Sequence, residues 1–300
     1  MTRGTERYSL DWVSYLITDT NPDDWSPADN PYAIAVSQSQ LWRDVVRLTV
    51  LRMRNEDDRR AGWFSSRQLD AHTLVMTLRQ LLTAEQLEQV ALTELGIDPA
   101  VGTALADARK QFEDALPGIK HMRDALMHFD EWSRGKGLGP QAKRRKAGDA
   151  LRDIARDYWR FGFDPNAGTV SFGPYTIDIG VAERAAADLC KAIYAAAHEV
   201  DVKNTADLRA KTIEVLSGAG IHHNAPGALL RVSPGNDLRI RLSFDLHADV
   251  AKKERSDLSG PIVSALGAAG LQLESINHAV TLGPVQRLVR GEALYVESDA

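Results

Sequence analysis

The sequence predicts an α+β protein, with an all-α up-down helical bundle carrying a β-hairpin insertion over residues 1–202 and a small α+β domain over residues 203–300. Three observations carry this expectation. Apolar residues recur at helical spacing through most of the first two thirds of the chain. Two short β-like runs flank Asp164-Pro165-Asn166-Ala167-Gly168 and read as a hairpin near residues 158–177. Past Asp201–Asn204 the pattern changes to helix, strand, strand, helix, strand, strand.

The elements follow in order. Tyr8 to Thr18 reads as a short helix before a turn-rich stretch ending at Asn30-Pro31. From Tyr32 to Asn55, Ile34, Leu41, Val45 and Leu48 mark the apolar stripe of a helix. Ser65 to Leu95 is helical, with Leu74, Leu78 and Leu81 on one face and a restart at Thr83, where Thr-Ala-Glu-Gln has the form of a capping box. Asp98-Pro99 opens the next helix by the cap-then-proline rule, and Pro117 opens another to about Ser133. Gly135 to Pro140 is a glycine-rich loop, followed by a short helix from Gly148 to Asp157. The hairpin strands are Tyr158–Phe163 and Thr169–Ile177. Val181 to Val200 is strongly amphipathic, with Ala182, Ala185, Leu189, Ile193, Ala196 and Val200 inward. In the last hundred residues, helices fit Thr205–Ala219 and Arg255–Ala269, and strands fit Leu229–Ser233, Arg239–Leu246, Leu271–Ile276 and Leu294–Val296. Val215-Leu216-Ser217-Gly218-Ala219-Gly220-Ile221 aligns with Ala265-Leu266-Gly267-Ala268-Ala269-Gly270-Leu271, which suggests a repeated αββ unit.

Bulk properties narrow the function classes. A net charge of -5 excludes a globally basic nucleic-acid binder but leaves room for a local basic patch. The lone cysteine, Cys190, excludes an intrachain disulfide framework and a cysteine zinc cluster, and points to a reducing, cytoplasmic setting. Met1 to Asp11 is charged, without the apolar run of a signal peptide, and no apolar stretch is long enough to span a membrane. Walker A, Gly-x-Gly-x-x-Gly and Gly-x-Ser-x-Gly patterns do not occur, and no cofactor is expected.

At about 100° per residue, a helix over Pro117 to Ser133 places Ile119, Met122, Leu126 and Phe129 on a core stripe. His121, Asp124, His128 and Glu131 then fall almost opposite, with Arg123 on the flank. Polar faces opposite apolar ones are the rule for surface helices, but two histidines seven residues apart are unusual on them. The same row, joined by His72 or Glu113, would serve a metal-dependent bundle enzyme, although its spacing matches neither His-Glu-x-x-His nor Glu-x-x-His. Between Ser133 and Lys146 lie Arg134, Lys136, Lys143, Arg144, Arg145 and Lys146 and no acid, which reads either as a phosphate-tracking arm or as a solvated charged linker. His222-His223 reads as a surface pair, and Asp245, His247 and Asp249 as the polar end of a strand.

Arg123-Asp124-Ala125-Leu126-Met127-His128 resembles the Arg-polar-x(3)-His signature of HEPN domains, and Met122 to Glu131 resembles family members more closely than the bare pattern does. The resemblance covers about residues 32–200 and leaves the C-terminal domain unassigned. It implies a bundle of four or five helices with the motif on a late helix, and metal-independent endoribonuclease chemistry at a homodimer interface, with RNA as substrate. His128 would be the general acid/base, Arg123 the phosphate ligand, and Asp124 the residue that orients the imidazole. Family members also include non-catalytic interaction or nucleotide-binding modules, and many act in toxin or defence systems. The C-terminal domain lies outside the resemblance, and substrate recognition, autoinhibition and docking of a protein partner all stay open for it.

Overall fold

The structure is a computed structural model that describes residues 10–17, 26–55, 58–204, 206–222, 227–232, 238–245, 259–270, 275–279, 287–289 and 292–295. The turn at 233–237 and residues His223, His247 and Asp249 lie outside these. The fold class is α+β, mostly helical. The chain divides into two compact units, Asn30–Ala197 and a discontinuous one made of Met1–Asp29 with His198–Ala300. The first 29 residues, expected in the bundle, therefore belong with the C-terminal part.

In the bundle, α1 (Pro31–Asn55) packs along α2 (Ser66–Glu94), joined by the short β2 (Arg60–Ala61) and β3 (Phe64–Ser65). Ser65 caps α2 by accepting a hydrogen bond from the Gln68 amide at 3.1 Å. The restart expected at Thr83 does not occur. Leu81, Leu82 and Ala84 are all buried, so packing carries the helix through, and the Thr83 hydroxyl donates back to the Arg79 carbonyl. The stripe expected to face the core on α1 also fails, since Leu41 and Leu48 are 50% and 55% exposed. The buried face is Tyr32, Ala35, Ser39, Val46, Val50 and Met53, with the Ser39 hydroxyl 3.5 Å from Cys190 Sγ. Hence α1 is apolar on two sides, and periodicity alone selected the wrong one.

Asp98 caps α3 (Pro99–Ala115) through the Ala100 amide, with Pro99 at its first turn. The chain then turns at Gly118, whose φ is 82°. A β-carbon there would lie 2.1 Å from Tyr175 Cδ1. Gly118→Ala is therefore expected to destabilise the bundle by about 3 kcal/mol in urea unfolding, from a disfavoured φ plus a ring clash.

The helix expected over Pro117–Ser133 is broken. α4 (Ile119–Met127) ends at His128, which has φ −114° and ψ 43°, and α5 (Phe129–Trp132) starts anew. Ile119 and Met122 are buried as expected, whereas Leu126 is half-buried and Phe129 is 61% exposed. Trp132 enters the core instead, edge-on to Tyr158 and Phe172. Burying the larger ring in place of Phe129 requires the backbone to leave its helical register at His128.

The basic stretch is not a loop. It holds α6 (Pro140–Lys146), and α7 (Leu151–Trp159) extends past the helix end expected at Asp157. Tyr158 consequently ends a helix rather than starting a strand. The expected hairpin is a three-stranded meander: β4 (Phe161–Asp164), β5 (Thr169–Phe172) and β6 (Tyr175–Asp178). Gly173-Pro174 splits the second run, because proline interrupts a ladder that both flanking segments otherwise form. α8 (Ile179–Asn204) buries all six residues expected inward, and it continues through the boundary expected at 201–204.

In the other unit, residues 10–17 form strand β1 (Leu10–Ile17) where a helix was expected. β7 (Gly227–Val232), β8 (Leu238–Asp245) and β9 (Ser275–Ala279) join it in the order β7-β8-β1-β9, with every neighbouring pair antiparallel. With α9 (Ala206–Gly218) and α10 (Ser259–Ala268), the chain order is β1, α9, β7, β8, α10, β9, the split β-α-β arrangement of ferredoxin-like folds. The whole bundle lies in sequence between β1 and α9. The expected helix, strand, strand order recurs here, with α9 followed by β7 and β8 and α10 followed by β9 and β10 (Arg287–Val289). Its basis is a shared helix ending, with Gly220 at φ 70° and Gly270 at φ 75°. β10 and β11 (Glu292–Tyr295) form a separate ribbon. No helix among the described residues is long and apolar enough to cross a membrane.

Candidate functional site

The motif residues sit at the C-terminal end of α4. Arg123 and Asp124 occupy its last full turn and His128 follows it at the break. The His128 amide still donates to the Asp124 carbonyl at 2.8 Å, so the imidazole is carried on a residue anchored to α4 but outside it. His128 is exposed, and its side chain accepts or donates no hydrogen bond among the described residues. Arg123 and Asp124 are partly exposed and pair with each other, Arg123 Nη1 donating to Asp124 Oδ1 at 3.0 Å. Asp124 was expected to orient His128. Its carboxylate is instead engaged by the adjacent guanidinium, and no hydrogen bond links it to the imidazole among the described residues.

Asp124 has a second neighbour that the sequence placed only on the same stripe. The half-buried ring of His121 stacks on Tyr175 at 5.5 Å, and the Gly139 backbone comes so near that a β-carbon there would lie 3.0 Å from His121 Cε1. Burial lowers the His121 pKa below its ordinary 6.5, against the opposing pull of Asp124 and with help from Lys143 and Lys120. Tyr175 shares this environment, and burial raises its pKa. The nearness of Tyr175 and Gly139 to α4 depends on the meander and on α6, and no local pattern announces it.

A histidine whose folded pKa is lowered binds fewer protons folded than unfolded. Its contribution to stability is fully present above pH 6.5 and is lost as pH falls through the folded value. His121 is thus expected to titrate below 6.5 by imidazole NMR. The fall in melting temperature from pH 7 to 5 should shrink in His121→Gln.

The six basic residues divide by role. Arg144 bridges Asp149 and Asp157, which holds the Asp157 carboxyl below the usual carboxylate range. Arg145 Nη1 donates to the carbonyls of Gly135 and Gly137 at 2.9 and 2.8 Å, pinning the glycine-rich turn beneath Trp132. Arg134 donates to the Asp130 carbonyl. Lys136, Lys143 and Lys146 remain exposed and make no ion pair among the described residues. The arm is half scaffold: three arginines hold its shape and three lysines are open to phosphate.

The residues weighed as a metal set are not brought together. His72 packs on Phe161 at 4.0 Å, Glu113 pairs with Arg109 and Lys120, and no group of three or more His, Cys, Asp or Glu among the described residues is placed to hold an ion. A separate polar cleft of about 380 Å³ lies beside Arg54, Arg67, Asn166 and Gly180, but Arg54 there is already paired with Glu183 at 3.0 Å.

Exposed apolar side chains lie on either side of His128 in sequence and in the turn before α6. Met127 and Phe129, the residues on either side of His128, are 49% and 61% exposed, and Leu138 in the turn before α6 is 73% exposed.

No protein-family model, no curated protein and no solved structure matches this chain.

Proposed function

We propose that the chain is a metal-independent endoribonuclease of the HEPN type, acting as a homodimer in a reducing, cytoplasmic setting. The observation that carries the reading is the placement of His128: an exposed imidazole at the end of α4, one turn past Arg123, in a helical bundle. Neutral imidazole can take the proton of a ribose 2′-hydroxyl near neutral pH. The 2′-oxygen then attacks the adjacent phosphorus, the P–O5′ bond breaks, and the imidazolium so formed returns its proton to the departing 5′-oxygen, giving a 2′,3′-cyclic phosphate. Arg123 supplies a donor fork to the phosphate oxygens as charge grows on them.

A single copy presents this group on an open surface. The apolar rim of Met127, Phe129 and Leu138 suits cover by a second copy, which would turn the surface into a cleft lined by two motifs. The open lysines of the basic stretch then supply sequence-independent phosphate contacts. A toxin or defence role is a proposal from the family resemblance alone.

The test is incubation of the full chain with a mixed RNA in excess EDTA. Accumulation of fragments ending in 2′,3′-cyclic phosphate is the expected result. Intact RNA, from protein that is folded and dimeric, would remove the reading. A second reading has one observation in its favour: Asp124 holds Arg123 and not His128, so the imidazole has no orienting partner among the described residues. A non-catalytic module that binds nucleotide or a protein partner needs none, and stoichiometric nucleotide binding without cleavage would establish it.

A further inference from the structure

We infer that the β2–β3 hairpin is a stacking platform for single-stranded nucleic acid, on which Trp63 holds a base and Arg59 and Arg60 hold the neighbouring phosphates. Arg60 pairs with Ser65 and Ala61 with Phe64, so Gly62 and Trp63 alone form the loop. A loop of this length calls for a positive φ, and Gly62 has φ 66°. A β-carbon at Gly62 would meet nothing within 4 Å, so glycine is there for the turn and not for packing. The tip stands in open solvent: Trp63 is 97% exposed, and Phe64 beside it is exposed as well. Tryptophan is highly buried on average, and leaving its whole ring in water forgoes a large apolar gain.

The base of the hairpin is fastened to α2. The Ser66 amide donates to the Arg59 carbonyl at 2.7 Å, and the Arg59 amide donates to Ser66 Oγ at 3.0 Å. Asp58 accepts from the Ser66 hydroxyl and from the Arg67 amide, each at 3.3 Å. The ring is thus presented on a fixed support, which lowers the ordering cost of binding. Arg59 and Arg60 are exposed, and their side chains make no ion pair or hydrogen bond among the described residues. By contrast Arg52 and Arg54, at the end of α1 that leads into the hairpin, pair with Asp70 and Glu183. The hairpin therefore combines an open aromatic face with two uncommitted guanidinium forks. Those are the two chemistries of a single strand, whose unpaired bases offer π-faces and whose phosphates accept a fork. A lipid surface suits the loop less well. It responds to average charge, and Glu56, Asp57 and Asp58 outnumber Arg59 and Arg60 in the sequence. A folded protein partner needs roughly 800 Å² on each side, far more than a loop of this size presents.

The site shares no residue with the α4 motif and does not rest on the nuclease reading. Binding is measured in the full-length His128→Ala variant, so that no substrate is consumed. The probes are a fluorescein-labelled uridine dodecamer and a thymidine dodecamer, which separate RNA from DNA as the source of the strand. Polyglutamate is the polyanion control, and vesicles of phosphatidylcholine and phosphatidylserine test the lipid surface. Saturable binding to one or both dodecamers at about 50 mM salt is expected, weakening as salt rises. Adding Trp63→Ala should weaken it about 10-fold with the log–log salt slope unchanged, because stacking releases no counterions. Trp63→Phe keeps a ring and should lose no more than about 3-fold. Arg59→Gln/Arg60→Gln should lose about 1.4 from the slope, two contacts at about 0.7 each. None of these side chains is packed, so the melting temperature should not move. If Trp63→Ala does not fold, the double arginine variant carries the test. Absence of dodecamer binding, equal affinity in the variants, or equally tight binding of polyglutamate would each overturn the inference. Vesicle binding that depends on Trp63 while dodecamer binding does not would overturn it in favour of a lipid surface.

Discussion

Replacing His128 with alanine is expected to lower the rate of RNA cleavage in EDTA by at least about 100-fold while leaving the fold intact. General acid–base groups contribute roughly 10²–10⁴ in rate, and among the described residues no other imidazole is presented at the end of α4 to substitute. His128 is exposed and its side chain makes no hydrogen bond among the described residues, so its loss should move stability by no more than about 0.5 kcal/mol. Arg123→Ala removes a transition-state ligand and should cost about 10²–10³ in kcat. Arg123→Lys keeps the charge but loses the fork, so only partial activity should return. Wild-type rates in His128→Ala would end the proposal, since nothing else in the motif transfers a proton. If a residual rate is found, His121 is the group to examine next, because Asp124 and Tyr175 already surround it.

The second large effect is structural. Glu85 on α2 has a side chain only 1% exposed, and Arg109 on α3 meets it at 2.8 Å while also binding Glu113 at 3.0 Å. Burial raises the Glu85 pKa above its ordinary 4.5 even with Arg109 opposing. Arg109→Ala leaves a buried carboxylate without its cation and is expected to cost about 3–5 kcal/mol in urea unfolding at pH 8. The pH dependence follows from the direction of the shift. A carboxyl with a raised folded pKa binds more protons folded than unfolded, so stability falls as pH rises from 4.5 to the folded value. Removing the arginine raises that value further. The deficit should therefore be largest at pH 8 and shrink toward pH 5, and Glu85→Gln placed on Arg109→Ala should recover most of it at pH 8. A deficit independent of pH would mean that Arg109 matters for packing alone.

The bundle helices were legible in the sequence where one face is apolar and the caps are explicit, as at Ser65, at Asp98-Pro99 and along α8. They were misread where two faces compete. On α1 the leucines at 41, 48 and 51 outline a better stripe than the alanines and serine that do pack. At His128 the break depends on Trp132 reaching Tyr158 and Phe172, which lie in α7 and β5. β1 was misread for a similar reason. In the sequence, Trp12 and Leu16 blur the alternation of Val13, Tyr15 and Ile17 that would have marked a strand. Of the candidate site, the motif residues and their exposure were readable, but the partners were not. Asp124 pairs with its own neighbour Arg123, and that Gly139 abuts His121 and that Arg144 and Arg145 are structural follow from contacts made after the chain turns back on itself.

The placement of β1 sets an order of events during synthesis. Its partners in β8 begin at Ile240, more than two hundred residues downstream of Ile17, and the bundle lies between them. A ribosome adding about 5–20 residues per second will expose the bundle, free to fold, while β1 has no neighbour. β1 must wait roughly ten seconds or more for its ladder, and it waits with unpaired backbone amides and a mixed apolar sequence. Premature capture of that segment, by a chaperone or by another nascent chain, is the hazard this chain order creates.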